Sequence, residues 1–63
     1  MYDRDLLREE LDQILRDKRR SVEMLTDLLG RVADSAARTQ IAEVHDHALR
    51  DVELGERLVE IVS

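Results

Sequence analysis

The feature that most constrains this chain is the spacing of its apolar residues between positions 7 and 32. They recur at intervals of three, four and seven residues and do not alternate with a period of two. Because an α-helix has 3.6 residues per turn, such positions share one face of a helix. The sequence therefore predicts a helix from about residue 4 to 32, with Asp3 as a favourable N-cap. Its apolar residues are Leu7, Leu11, Ile14, Leu15, Val22, Leu25, Leu28, Leu29 and Val32.

A short segment of small and polar residues, VADSAART, interrupts this pattern. Asp34 or Ser35 suits the N-cap of a second helix, so we expect a turn at about 33–35 and a helix at about 36–62. Two helices of matched length joined by a short turn form an antiparallel hairpin. The predicted fold is all-α, one helical-hairpin unit over residues 1–63. The second apolar face contains Ala37, Ile41, Val44, Ala48, Val52, Leu58, Val59 and Val62.

A hairpin alone has almost no interior, and this one has 63 residues and no cysteine. Chains of this size bury only about 60% of their unfolded surface and usually need a disulfide, a metal or a partner chain. Each apolar stripe is also wider than one neighbouring helix can cover. We therefore expect a second copy as partner, in a homodimeric four-helix bundle with coiled-coil-like packing. The expected dimer core consists of Leu11, Leu15, Val22, Leu25, Leu29, Val44, Ala48 and Leu58.

Small residues on the second helix predict a close approach between helices. Ala48 and Gly55 lie seven residues apart, on the row that Ile41 and Val62 continue. Side chains this small let a neighbouring backbone come near, or let leucines from the first helix interdigitate. The alternative is that Gly55 only weakens the helix, by roughly 1 kcal/mol.

Polar residues interrupt the apolar face of each helix. Folding the chain about its turn places Lys18 opposite Asp51 and Ser21 opposite His47. The sequence therefore predicts a core polar layer of these four residues, which would fix register and partner choice at a cost in stability. The alternative is a metal site formed by Glu43, His47 and Asp51, although Lys18 would then repel the cation.

Both histidines lie in the stretch VHDHA, residues 44–48. Two residues along a helix is a rotation of about 200°, so His45 and His47 cannot bind one metal from a single helix. No cofactor is expected. The chain has no Gly-rich phosphate loop and no cysteine nucleophile, and its serines lack an assembled base, so we expect no enzymatic activity and assign no catalytic residue.

One basic cluster, RDKRR, lies on the first helix. Its acidic neighbours at spacings of four predict a solvated, charge-paired helix face. The alternative is a nucleic-acid contact through Arg16, Lys18, Arg19 and Arg20, although no aromatic residue accompanies them for base stacking. The net charge of −5 argues against an unspecialised nucleic-acid binder.

The length of the hairpin, its symmetry and the sequence HDHA at 45–48 resemble the Rop family. Those are small plasmid copy-number proteins that dimerise as antiparallel four-helix bundles and bind a pair of RNA loops. The resemblance implies a dimeric bundle with Ala48 in a core layer, and RNA as a partner. The family's RNA contacts centre on a Phe, a Gln and an Asn of the first helix, and those positions fall here on Asp17, Ser21 and Gln13.

The sequence from Leu6 to Ile61 also resembles half of a ferritin-like bundle, as in rubrerythrin-type hairpins. Those families form a di-iron site by placing a Glu of one helix against a Glu-x-x-His pair of the next. Here Glu43 is followed by Asp46 three residues later and by His47 four residues later. This resemblance implies a metal-binding bundle without the di-iron ligand pattern.

The predicted function is that of a non-catalytic oligomerisation or protein-interaction module. A Rop-like RNA-binding dimer is the first alternative, and a metal-binding ferritin-like bundle is the second. No apolar run approaches the roughly 20 residues of a membrane span, and no signal-peptide pattern opens the sequence. We therefore expect no membrane partner and a cytoplasmic location.

Overall fold

Two α-helices of 28 residues each, α1 (Arg4–Arg31) and α2 (Ser35–Val62), form the whole architecture of the described residues, 3–62, in the computed structural model. They pack side by side and antiparallel as a rod of 49 × 15 × 14 Å. The predicted all-α helical hairpin is confirmed, and residues 3–62 contain no strand. Neither helix within that range is long and apolar enough to span a membrane.

Aspartate side chains cap the N-terminus of each helix. The Asp3 carboxylate accepts a hydrogen bond from the Asp5 backbone N–H at 3.0 Å. Asp34 Oδ1 accepts from the backbone N–H groups of Ala36 at 2.9 Å and Ala37 at 3.3 Å. These caps satisfy donors that have no partner inside the helix, which fixes where each helix begins. Of the two residues suited to the second cap, the structure uses Asp34.

The turn is held by Arg38, a residue to which the sequence assigned no role. Its guanidinium donates to the backbone oxygens of Leu29 and, at 2.9 Å, of Val32. The last carbonyls of a helix lack intrahelical partners, and a positive charge is favourable at the negative end of the helix dipole. Arg38 thus ties the first turn of α2 to the last turn of α1.

The two helices are in close contact at Gly55. A Cβ atom built on this residue would lie 2.5 Å from Leu15 Cδ2, so only glycine accommodates the leucine in its present position. Leu15 and Val52, 5% and 6% exposed, are the two buried residues in the described part of the chain. The close approach predicted at Gly55 is present, and the small core of Leu15 and Val52 lies beside it.

Candidate self-association face

Nine large apolar side chains of the hairpin remain exposed. Their exposed fractions run from 42% to 80%, although aliphatic side chains of this size are normally buried in a folded protein. A contact between only two helices leaves the outer flanks of both apolar stripes uncovered. The exposed residues are Leu6, Ile14, Met24, Leu28, Val44, Leu49, Leu54, Leu58 and Ile61.

A groove of about 510 Å³ lies between the helices near the turn and marks one side of the hairpin. Its apolar lining includes Leu28 of α1 and Val44 of α2, with Ser21 beside them. Seven residues are nearly two helical turns, so positions seven apart extend this side along the rod. We call it the open face. It comprises Ile14, Ser21 and Leu28 of α1, Val44, Asp51 and Leu58 of α2, and Lys18, which pairs with Asp51.

A single ion pair crosses the middle of the open face. Lys18 Nζ lies 3.5 Å from Asp51 Oδ2, and the two side chains are 45% and 53% exposed. Apolar residues flank it along both helices, with Ile14 four residues before Lys18 and Leu58 seven residues after Asp51. The pair is therefore a charged layer within an apolar surface that is still open to water.

The other two members of the predicted polar layer do not bond to each other. Ser21 Oγ donates to the backbone oxygen of Asp17 at 3.0 Å, within its own helix. The His47 side chain is exposed and forms no hydrogen bond or ion pair within residues 3–62. The structure thus brings Lys18 and Asp51 together and leaves the side chains of Ser21 and His47 apart.

The two histidines differ in their surroundings. The His45 side chain is 21% exposed, and its Nδ1 atom lies 3.3 Å from Asp46 Oδ1. Asp46 and Arg50 lie four residues apart on α2 but form no ion pair with each other. Among the described residues, no three His, Asp or Glu side chains are placed to hold a metal ion, and the alternative ligands Glu43, His47 and Asp51 are all exposed.

The opposite side of the hairpin, which we call the back face, carries a second ion pair between the helices. Arg19 Nη2 lies 3.5 Å from Glu56 Oε1, and a shallow groove there is lined by Arg19, Val22, Glu23, Leu49 and Val52. Two members of the basic cluster are therefore paired with α2, one on each face. Arg16 and Arg20 are exposed and unpaired within the described residues.

The predicted dimer-core residues occupy two environments. Leu15 is buried between α1 and α2, and five others are partly buried there: Leu11, Val22, Leu25, Leu29 and Ala48. Val44 and Leu58 are 55% and 44% exposed on the open face. The residues between α1 and α2 already pack within one chain. A second chain would therefore cover mainly Val44, Leu58 and their exposed neighbours.

Known proteins supply no family from which to read a function for these faces. No family model, curated protein or solved structure matches the chain. The Rop-like and ferritin-like resemblances therefore stay predictions, and function is inferred from the open face itself.

Proposed function

We propose that this chain is a non-catalytic self-association module whose open face packs against that of a second copy, forming a four-helix bundle. One observation carries the proposal. Four of the nine large apolar side chains that are at least 42% exposed lie on the open face, whereas Leu15 and Val52 are the two buried residues in the range 3–62. The four are Ile14, Leu28, Val44 and Leu58, and exposed apolar side chains grouped on one face are typical of an interaction site.

The exposed area supports a partner of about the size of this chain. The hairpin exposes 5223 Å², whereas a compact monomer of 7.3 kDa is expected to expose about 4,200 Å². The excess, about 1,000 Å², is close to the roughly 800 Å² that each partner buries in a standard interface. One further hairpin is enough to cover it.

The charges of the open face favour a second copy over an unrelated partner. At its middle the face carries one positive and one negative charge at a single level, 3.5 Å apart, and a second pair, Arg31–Asp27 at 2.9 Å, lies within α1 at the edge of the groove near the turn. A two-fold axis can oppose each of these charges with the complementary charge of an identical surface. An unrelated helix would have to supply the same pair at the same level, since otherwise the two charges lose water without gaining a partner.

The lining of the groove supports a binding role without catalysis. Most of the residues there are apolar, and the one hydroxyl group, that of Ser21, is bonded to its own helix. No nucleophile with a neighbouring base is part of the proposed site. A cytoplasmic location remains part of the proposal, and fractionation of cells expressing a tagged chain would test it.

Sedimentation equilibrium over a range of micromolar concentrations tests the proposal. We expect the mass to rise with concentration to twice 7.3 kDa, the value for one chain. A folded hairpin, judged by its helical circular dichroism, whose mass stays at 7.3 kDa throughout would contradict the proposal.

The same measurement separates the two alternatives. An RNA-binding dimer should gain mass when RNA hairpin loops are added at low salt and lose it as the salt concentration rises. A metal-binding bundle should change mass or melting temperature when a chelator is added. We expect neither change.

A further inference from the structure

The ion pair on the open face bears on how two copies are oriented. We infer that the second copy docks with its turn at the same end as the first, so that α1 of each chain lies along α2 of the other. This inference rests on the proposed function, because it describes the dimer that the function requires. It is carried by Lys18 and Asp51, which lie 3.5 Å apart in the middle of the open face, with Ile14 and Leu58 toward one end and Leu28 and Val44 toward the turn.

Two-fold symmetry allows two ways of covering this face. If the axis is parallel to the helices, α1 packs on α2 of the second copy and both turns lie at one end. If the axis is perpendicular to the helices and in the plane of the interface, each helix packs on the same helix of the second copy, α1 on α1 and α2 on α2. The two turns then lie at opposite ends. Helices that touch across the interface are antiparallel in both cases, so helix packing alone does not choose between them.

The charges distinguish the two arrangements. With the turns together, Lys18 of each chain lies beside Asp51 of the other, and positive and negative charges alternate around the layer. With the turns apart, Lys18 lies beside Lys18 and Asp51 beside Asp51. Like charges that are close together and shielded from water repel strongly, so the second arrangement is penalised at its centre.

Sliding one hairpin along the other does not rescue the second arrangement. A shift large enough to separate like charges moves each of them toward the apolar neighbours of the pair, Ile14 on α1 and Val44 or Leu58 on α2. A charge in such a position loses water without gaining a partner, which costs more than the repulsion it avoids.

The apolar residues fit the arrangement with the turns together. Leu25 follows Lys18 by seven residues and Val44 precedes Asp51 by seven, so in an antiparallel hairpin with Lys18 beside Asp51 these two residues lie at one level along the rod. At this register Ser21 and Asp51 lie near the middle of the rod, with Leu28 and Val44 toward the turn. When the second chain is placed level with the first, polar residues meet polar residues and apolar residues meet apolar ones.

Distances between spin labels test the orientation directly, because the chain has no cysteine of its own. A nitroxide on Ala33→Cys, in the exposed turn, should give one distance below about 25 Å in the dimer, since neighbouring helices lie only about 8–10 Å apart. A distance near the length of a 28-residue helix, about 42 Å, would overturn the inference. A label on Arg4→Cys, at the other end of the rod, gives an independent reading with the same expectation.

The outcome separates the inference from the proposed function. A dimeric mass with the long distance would overturn the orientation and leave self-association intact. A monomeric mass with no coupling between labels would remove both.

A charge-free variant tests whether the ion pair is the cause. In Lys18→Met combined with Asp51→Leu, we expect the dimer to persist, because replacing an ion pair by apolar residues is often neutral or stabilising. The long distance should then appear beside the short one. If the short distance alone persists in this variant, the ion pair does not set the orientation and that part of the inference is wrong.

Discussion

Two interhelical ion pairs, one residue apart on α1, lie on opposite faces of the hairpin. Lys18–Asp51 and Arg19–Glu56 both measure 3.5 Å, and their side chains are 45% to 53% exposed. In one chain the two pairs are equivalent, and exposed pairs of this kind contribute about 0–1 kcal/mol. Their neighbours differ: Ile14 and Leu58 flank the open-face pair along the helices, whereas the groove beside the back-face pair contains a further charge, Glu23, as well as apolar residues.

The surroundings of an ion pair, more than the distance between its charged atoms, decide its role. A pair among charged residues stays hydrated whether or not a partner binds. A pair within an apolar face must lose water when a second chain covers that face, so it comes to affect partner choice and orientation. The open face and the back face should therefore respond differently to chemically matched substitutions.

The largest effect is expected from a charge placed on the open face. Leu28 and Leu49 are each 42% exposed, one on each face. Leu28→Glu should raise the Kd of the dimer at least 100-fold, about 2.7 kcal/mol, because it puts an unpaired carboxylate into the interface. Leu49→Glu is the matched control and should change Kd less than about threefold. Sedimentation of both variants, each checked for helicity, provides the measurement, and equal effects would break the distinction between the faces.

A smaller effect is expected from removing one charge of each ion pair. Asp51→Asn should weaken the dimer by about 2 kcal/mol, because Lys18 would be covered without its counter-ion. Glu56→Gln removes the corresponding charge of the back-face pair and should cost no more than about 1 kcal/mol. Dimer Kd values for the two variants, measured at the same salt concentration, are the readout. If the order of the two effects were reversed, the back face would be the interface.

Arg38→Ala tests the turn that holds the two faces in register. Removing its hydrogen bonds to Leu29 and Val32 should lower the free energy of unfolding by about 1–2 kcal/mol, because carbonyls at the end of α1 lose their donor. Urea unfolding at a fixed chain concentration is the measurement, since the stability of a dimer depends on concentration. Arg57→Ala, which removes an exposed arginine with no partner in residues 3–62, should stay within about 0.5 kcal/mol. Equal losses would show that the Arg38 hydrogen bonds do not stabilise the turn.

The smallest effect concerns the two glycines, and here the signs should differ. The Cβ atom added by Gly30→Ala would meet no atom within 4 Å, so the substitution should raise the free energy of unfolding by about 0.5–1 kcal/mol through helix propensity. Gly55→Ala gains the same propensity but must displace the buried Leu15 side chain, and crowding of a core costs about 1–3 kcal/mol. We expect a net loss of about 1 kcal/mol. Stabilisation by Gly55→Ala in urea unfolding would show that Leu15 can move aside.

Much of the fold follows from local chemistry, and that is why the sequence predicted it well. Helix periodicity and the capping preference of aspartate act within a few residues, so the observed bounds lie within one residue of those predicted. The opposition of Lys18 and Asp51 followed from folding two equal helices about one turn. The hydrogen bonds of Arg38 did not follow, because they depend on how the turn directs a side chain across it. The same is true of Ser21, which bonds to its own helix and not to His47.

The spacing of apolar residues is enough to establish two amphipathic helices whose apolar stripes exceed what one neighbour can cover. Every third or fourth residue faces the same way whatever the helix packs against. Which residues of each stripe are used within the hairpin, and which remain exposed, depends on how the two helices pack. Leu15 packs against Gly55, whereas Leu28, Val44 and Leu58 flank the Lys18–Asp51 pair. This follows from the rotation of each helix about its own axis, which fixes the part of a wide apolar stripe that faces the other helix.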